Sequence, residues 1–170
     1  MKKGFIRNLL PDHRFEKIID IMSDFFSGSQ LVIFDLDNTL VFSEKTESTK
    51  EIINWIASIK NRYKCVCISN SRTAKDRAQK ISKALDIDIF LSKEKKPSKK
   101  LFEEIKKKYN LGNGKIFVVG DRVFTDILFG NLNGAATVLI KPLSRKENIL
   151  IKIIRKIENA ILFLVNLIYT

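Results

Sequence analysis

Four groups of polar residues along the chain carry side chains suited to moving a phosphoryl group. The first is D-L-D-N-T at 35–39, which closes the apolar run L-V-I-F-D at 31–35. An extended backbone alternates its side chains with period two, so Asp35 and Asp37 are expected on one side of the strand's end. There their like charges repel unless a cation lies between them, and a metal ion is the simplest such cation. Asp35 suits a nucleophile and Asp37 an acid/base. Attack of Asp35 on a phosphoryl group gives an aspartyl-phosphate, while Asp37 protonates the leaving oxygen and afterwards activates water.

The second group is S-N-S at 69–71, where the Ser69 hydroxyl and the amide of Asn70 can hold phosphate oxygens. The third is Lys96 in K-K-P-S-K-K, a point charge for the transferring phosphoryl group, with Pro97 expected to set the first turn of the helix behind it. The fourth is G-D-R-V-F-T-D at 120–126. Here Asp121 can join Asp35 and the Asp37 carbonyl around a magnesium ion, and Asp126 can buttress that shell.

Short apolar runs must position these groups. Five of them, at 31–35, 65–69, 88–92, 116–120 and 136–140, alternate with segments of helical spacing. That order predicts an α/β fold: a Rossmann-like sandwich with a parallel sheet of about five strands joined by crossover helices. Sites in such sheets lie at the carboxyl ends of the strands, which is where Asp35, Ser69, the lysine-rich segment and Asp121 fall. Taken singly, each acid could be a plain helix cap, as could Ser69, but plain caps have no reason to spell one ordered set. From Lys93 to Lys108 there are eight lysines and three glutamates, so most are surface, and only the Lys-Pro step singles out Lys96. His13 reads as a surface residue at a helix end, and Arg122 as either a substrate contact or a surface residue.

The four motifs together resemble the haloacid dehalogenase-like (HAD) superfamily of phosphatases over residues 31–140. The segments L-L-P-D-H-R-F-E-K-I-I-D-I, D-L-D-N-T-L-V, S-N-S, K-K-P and V-V-G-D-R-V-F-T-D-I-L-F-G-N-L-N-G further resemble the YqeG-type family. That family is similar to the mitochondrial phosphatidylglycerophosphate phosphatases, and the likeness reaches almost to the C-terminus. It implies a magnesium-dependent phosphomonoester hydrolase acting on a lipid phosphate. Ser71 departs from the more usual S-N-N. HAD enzymes carry specificity caps between their motifs, yet Asp35 and Ser69 are only 34 positions apart and Ser69 and Lys96 only 27. The resemblance therefore implies a capless enzyme with an open site, suited to a large substrate or to a cap lent by an oligomeric partner.

At 170 residues and 45% hydrophobic, the chain is expected to form one domain with its catalytic core at about 31–140. The formal charge of +12 predicts phosphate-rich partners: an anionic membrane surface, a phosphorylated small molecule or, less favoured, nucleic acid. Rival readings are a phosphatase for nucleic-acid ends or small metabolites, and a non-catalytic RNA- or ribosome-binding module; the intact Asp37 speaks against the second. Cys65 and Cys67 share one face of an apolar run, which predicts buried, reduced thiols and a cytoplasmic setting. The basic N-terminus is interrupted by Arg7 and Pro11 and does not read as a secretory signal.

Both ends read as helical. Residues 1–28 divide at Pro11, where Asp12 is expected to cap a second helix carrying Phe15, Ile18, Met22 and Phe25. Residues 144–170 read as one amphipathic helix with Lys152, Arg155, Lys156 and Glu158 on its polar side. Its uninterrupted apolar part, 160–169, is about half of the roughly 20 residues a bilayer crossing needs. Peripheral docking on an anionic membrane, packing on the core and self-association are the three readings of these ends.

Overall fold

The computed structural model describes residues 5–43, 45–70, 75–144 and 149–169. The five apolar runs form strands β2 (Ser29–Asp35), β3 (Cys65–Ile68), β4 (Asp88–Phe90), β5 (Lys115–Gly120) and β6 (Ala136–Ile140), and a sixth, β1 (His13–Phe15), is added at one edge. All pair in parallel in the order β1-β6-β5-β2-β3-β4. The helices are α1 (Lys50–Lys60), α2 (Lys75–Leu85), α3 (Lys99–Lys108), α4 (Leu128–Leu132) and α5 (Ile149–Tyr169). The fold is Rossmann-like, as the alternation of runs predicts.

The two faces of the sheet follow from period two. Val32 and Phe34 of β2 pack with Ile56 of α1 and Ile81 of α2, while Leu31 and Ile33 pack with Phe102 of α3 and Phe129. Because both faces are covered, the central strands carry unbroken apolar runs, 31–34 in β2 and 116–119 in β5, rather than alternating. Thr49 caps α1 by accepting from Ile52 N, and Ser98 caps α3 by accepting from Leu101 N. Pro97 therefore lies one residue before the cap of α3, not in its first turn. Cys65 and Cys67 point into the same cluster and are free thiols. Burial pushes Cys65 up to about 12 and raises Cys67 well above its ordinary value, so both stay protonated.

The N-terminal segment departs from the expected capped helix. The Asp12 carboxylate accepts from Thr137 N (2.8 Å) and Thr137 Oγ1 (3.0 Å), and Asp12 N donates to Thr137 Oγ1 (3.0 Å). This clasp holds the chain extended along β6, so His13 lies exposed in an edge strand. Ile18, Ile21 and Phe26 then bury through two short 3-10 turns, Ile18–Asp20 and Ser23–Phe26, rather than one helix, while Met22 stays exposed. Phe26 is fully buried between Phe34 and Phe117.

The long helix α5 has two apolar sides. Leu162 and Val165 are buried, and Leu162 packs with Leu9, Val123 and Leu128. Ile149, Ile153, Ile157, Leu164 and Leu167 form an exposed stripe. No helix among the described residues is long and apolar enough to cross a membrane.

The Asp12 clasp yields a direct test. Asp12→Ala should lower stability by about 1–3 kcal/mol, the cost of leaving the buried Thr137 groups without their charged acceptor, read from urea unfolding.

Candidate active site

β2 sits where the sheet's winding reverses: the chain runs outward to β3 and β4 on one side and returns to β5 and β6 on the other. A crevice opens at the carboxyl ends of β2 and β5. Asp35 is the last residue of β2 and Asp121 the first after β5, and both are buried.

Lys96 reaches this crevice from the segment between β4 and α3, and is only 4% exposed. Its Nζ donates to Asp35 Oδ1 and to Asp126 Oδ1 (2.6 Å). The Asn70 side chain holds the Lys96 backbone from both ends: Nδ2 donates to Lys96 O (2.9 Å) and Oδ1 accepts from Lys96 N (2.7 Å). Asp126 stands on a single π-helical turn, Val123–Ile127, and its Oδ2 accepts from Arg122 N (3.1 Å). Gly120 is what lets it come so close, because a Cβ there would lie 2.3 Å from Asp126 Cγ.

Asp121 is paired from α5, by Arg155, whose NH1 also donates to Asp121 O (2.8 Å). One turn on, Glu158 is buried and accepts from Phe124 N (2.9 Å), securing the start of the π-turn, with Arg122 Nε 3.8 Å away. Arg155 and Glu158 therefore face the domain, not the solvent side that helical spacing gave them.

Asp37 lies on the other flank. Asn38, with φ 63°, turns the chain back so that its N donates to Val41 O. The Asp37 carboxylate accepts from Ser69 Oγ (2.9 Å) and from Arg77 of α2 (2.6 Å), whose guanidinium also donates to Lys45 O. The opening pair is thus served by two separate cations, Lys96 for Asp35 and Arg77 for Asp37. Ser71 lies outside the described residues.

Asp35, Asp121 and Asp126 each offer a carboxylate oxygen within 4.8 Å of the others. Burial raises Asp35 well above its ordinary value; Lys96 opposes this, and Asp126 and Asp121 add to it. Burial likewise pushes Asp121 up to about 7, Arg155 opposing and Asp126 adding. Burial alone would lower the Lys96 ammonium, but Asp126 and Asp35 outweigh it and hold it above the usual lysine value. Three crowded carboxylates with oxygen donors only, two of them raised, fit a hard divalent cation such as magnesium, which would restore their ionised forms.

The model of the mitochondrial PGP phosphatase family matches residues 6–143. The chain belongs to that family. It is 31% identical over 165 residues to the probable phosphatase YqeG of Bacillus subtilis, covering 95% of this chain and 92% of that one. It is 33% identical over 150 residues to phosphatidylglycerophosphate phosphatase 1 of Arabidopsis thaliana, labelled chloroplastic/mitochondrial, covering 79% of this chain and 41% of that one. A Chlamydomonas reinhardtii phosphatidylglycerophosphate phosphatase 1, labelled chloroplastic, is 29% identical over 126 residues, covering 69% and 46%. The chain thus spans less than half the length of the two phosphatidylglycerophosphate phosphatases. No solved structure matches it. Membership of this family makes the protein a phosphatase, a hydrolase of phosphate esters.

Sequence reasoning named Asp35, Asp37, Ser69, Asn70, Lys96, Asp121 and Asp126, and all seven lie around the crevice. It missed Arg77, Arg155 and the inward face of Glu158. Arg77 falls in a run of polar residues with no motif around it, and Arg155 is one of several basic residues on a helix whose docking side spacing does not specify.

The raised acids set a pH dependence. A folded value above the unfolded one means that the folded state binds more protons, so stability falls as pH rises from the ordinary carboxylate range toward about 7. In EDTA the melting temperature should fall across that window, and Asp121→Asn should flatten the slope. Magnesium at about 100 times its dissociation constant should add about 2.7 kcal/mol, or roughly 5–10 °C, most at neutral pH. A melting curve indifferent to both would remove the cation from this site.

Proposed function

We propose that the protein is a magnesium-dependent phosphomonoesterase of the HAD type that works through phospho-Asp35 on the terminal phosphate of an anionic phospholipid such as phosphatidylglycerophosphate. The observation that carries the chemistry is the buried Lys96 held between Asp35 and Asp126, with Asp121 against them. A carboxylate nucleophile beside a fixed cation, inside a crevice of three acids, is an arrangement for phosphoryl transfer rather than for packing.

Each residue has a part. An Asp35 carboxylate oxygen attacks phosphorus as the bond to the leaving alcohol breaks, and Asp37 gives that alcohol its proton. Asp37 then takes a proton from water, which attacks phospho-Asp35, releasing inorganic phosphate and restoring the carboxylate. Ser69 Oγ, Lys96 Nζ and the main-chain N–H of Asn70 hold phosphate oxygens; the Asn70 side chain is committed to the Lys96 backbone. Asp35, Asp121 and the Asp37 carbonyl would hold magnesium, with Asp126 behind them, and the ion supplies charge neutralisation for the phosphoryl group. Arg77 keeps the Asp37 carboxylate aimed.

The lipid assignment is supported by the names of two relatives and by two features of the chain. The motif segments are separated by α1 and by α2 with β4, so the crevice has no inserted cap among the described residues. The exposed stripe of α5 lies beside Lys152 and Lys156, the composition of a helix that docks peripherally on anionic lipid. In this reading the protein works at the cytoplasmic face of a membrane.

The deciding measurement is phosphate release from phosphatidylglycerophosphate in mixed micelles, with an aryl phosphate run in parallel. The lipid should be cleaved faster, only with magnesium, and Asp35→Asn should lose at least about 1,000-fold. Cleavage of the aryl phosphate alone would end the lipid assignment; cleavage of neither would bring forward an RNA-binding role for the basic surface. Arg77→Ala should lower kcat by about 10- to 100-fold, because Asp37 loses the cation that aims it.

A further inference from the structure

Between α5 and the carboxyl ends of β1, β6 and β5 lies a cleft of about 770 Å³ that reaches Asp121. Apart from Asp121 and Val123 of the fourth motif, its lining lies outside the four motifs. Its walls are largely apolar, through Phe15, Ile140, Pro142 and Leu162, and its rim is basic. Two of the rim cations are committed: Lys141 to Glu16 (2.5 Å) and Arg155 to Asp121. Arg14, Lys152 and Lys156 also line the cleft, and no carboxylate among the described residues lies within ion-pair distance of them. Lys152 and Lys156 stand one helical turn apart, so both can face a single anion. Next to them runs the exposed stripe of Ile149, Ile153 and Ile157.

We propose that this cleft is a second anion subsite, which takes the phosphodiester and adjoining ester carbons of an anionic phospholipid while the terminal phosphomonoester reaches Asp35. Three uncompensated cations match a permanently charged diester. The apolar walls match the glycerol ester and first acyl carbons that follow it within a few bonds, a feature a nucleic-acid strand lacks. In a substrate whose two phosphates are joined by one glycerol, the cleft's opening at Asp121 places the diester beside the reaction centre. The stripe on α5 would then rest among acyl chains, with Lys152 and Lys156 at headgroup level. This subsite makes the enzyme select for the diester rather than for the phosphomonoester alone. The inference rests on the phospholipid phosphatase reading above.

Dihexanoyl phosphatidylglycerol, kept below its micelle concentration, tests the cleft without turnover because it carries the diester and no phosphomonoester. Calorimetric titration should give saturable binding of one lipid per chain, at least about tenfold tighter than for dihexanoyl phosphatidylcholine, whose diester is offset by its own cation. The Lys152→Glu/Lys156→Glu double variant should bind phosphatidylglycerol at least about tenfold more weakly with an unchanged melting temperature, since both side chains are exposed. Absence of saturable binding, equal binding of the two lipids, or equal binding by the double variant would overturn the subsite. If phosphatidylglycerol binds as expected but phosphatidylglycerophosphate is not cleaved, the proposed activity falls and the subsite stands.

Discussion

A lysine ammonium buried to 4% exposure is the constraint around which the rest of the crevice is arranged. An isolated charge in such a place costs several kcal/mol even after relaxation, and removing one partner of a buried pair costs about 3–5 kcal/mol. Lys96 is tolerable only because Asp35 and Asp126 both accept from it. Those carboxylates in turn crowd Asp121, and with all three ionised the group keeps one negative charge beyond what Lys96 and Arg155 balance. The site is stressed in the direction that a divalent cation relieves. Remote choices serve the same pairing: Asn70 clamps the Lys96 backbone, and the missing Cβ of Gly120 lets Asp126 approach.

The C-terminal helix is part of this machinery, not an appendage. Arg155 provides the counter-charge of Asp121, and Glu158 secures the π-turn on which Asp126 stands. A π-turn widens the helix by one residue and is often found at functional sites; here it lets Asp126 face back toward Gly120. The same helix turns its opposite side, still apolar, to solvent. One element thus joins the acidic corner at Asp121 to an exposed apolar surface.

Much of the fold could be read from periodicity because the sheet is covered on both faces: β2 through β6 each stand within a residue or two of an apolar run. The edge strand β1 could not, because three residues carry no period and their pairing depends on the Asp12–Thr137 clasp between positions 125 residues apart. The same clasp explains why helical spacing after Pro11 does not become a helix. Spacing that satisfies a helix also satisfies short 3-10 turns whose apolar residues fall onto a ready surface, and the long-range bond decides between them.

The sequence by itself determined the order of β2 to β6 with the helices between them and the four motif positions, since a strand's carboxyl end and the type of residue there are local properties. Only the tertiary structure decided which cation serves which acid. Asp35 and Asp37, two positions apart, receive Lys96 from 61 residues away and Arg77 from 40. It also decided that Arg155 and Glu158 turn inward, and that a basic, apolar cleft opens beside Asp121. Each of these depends on how α2 and α5 rotate as they settle on the sheet, and a helix's rotation is set by the surface it meets, not by its own spacing.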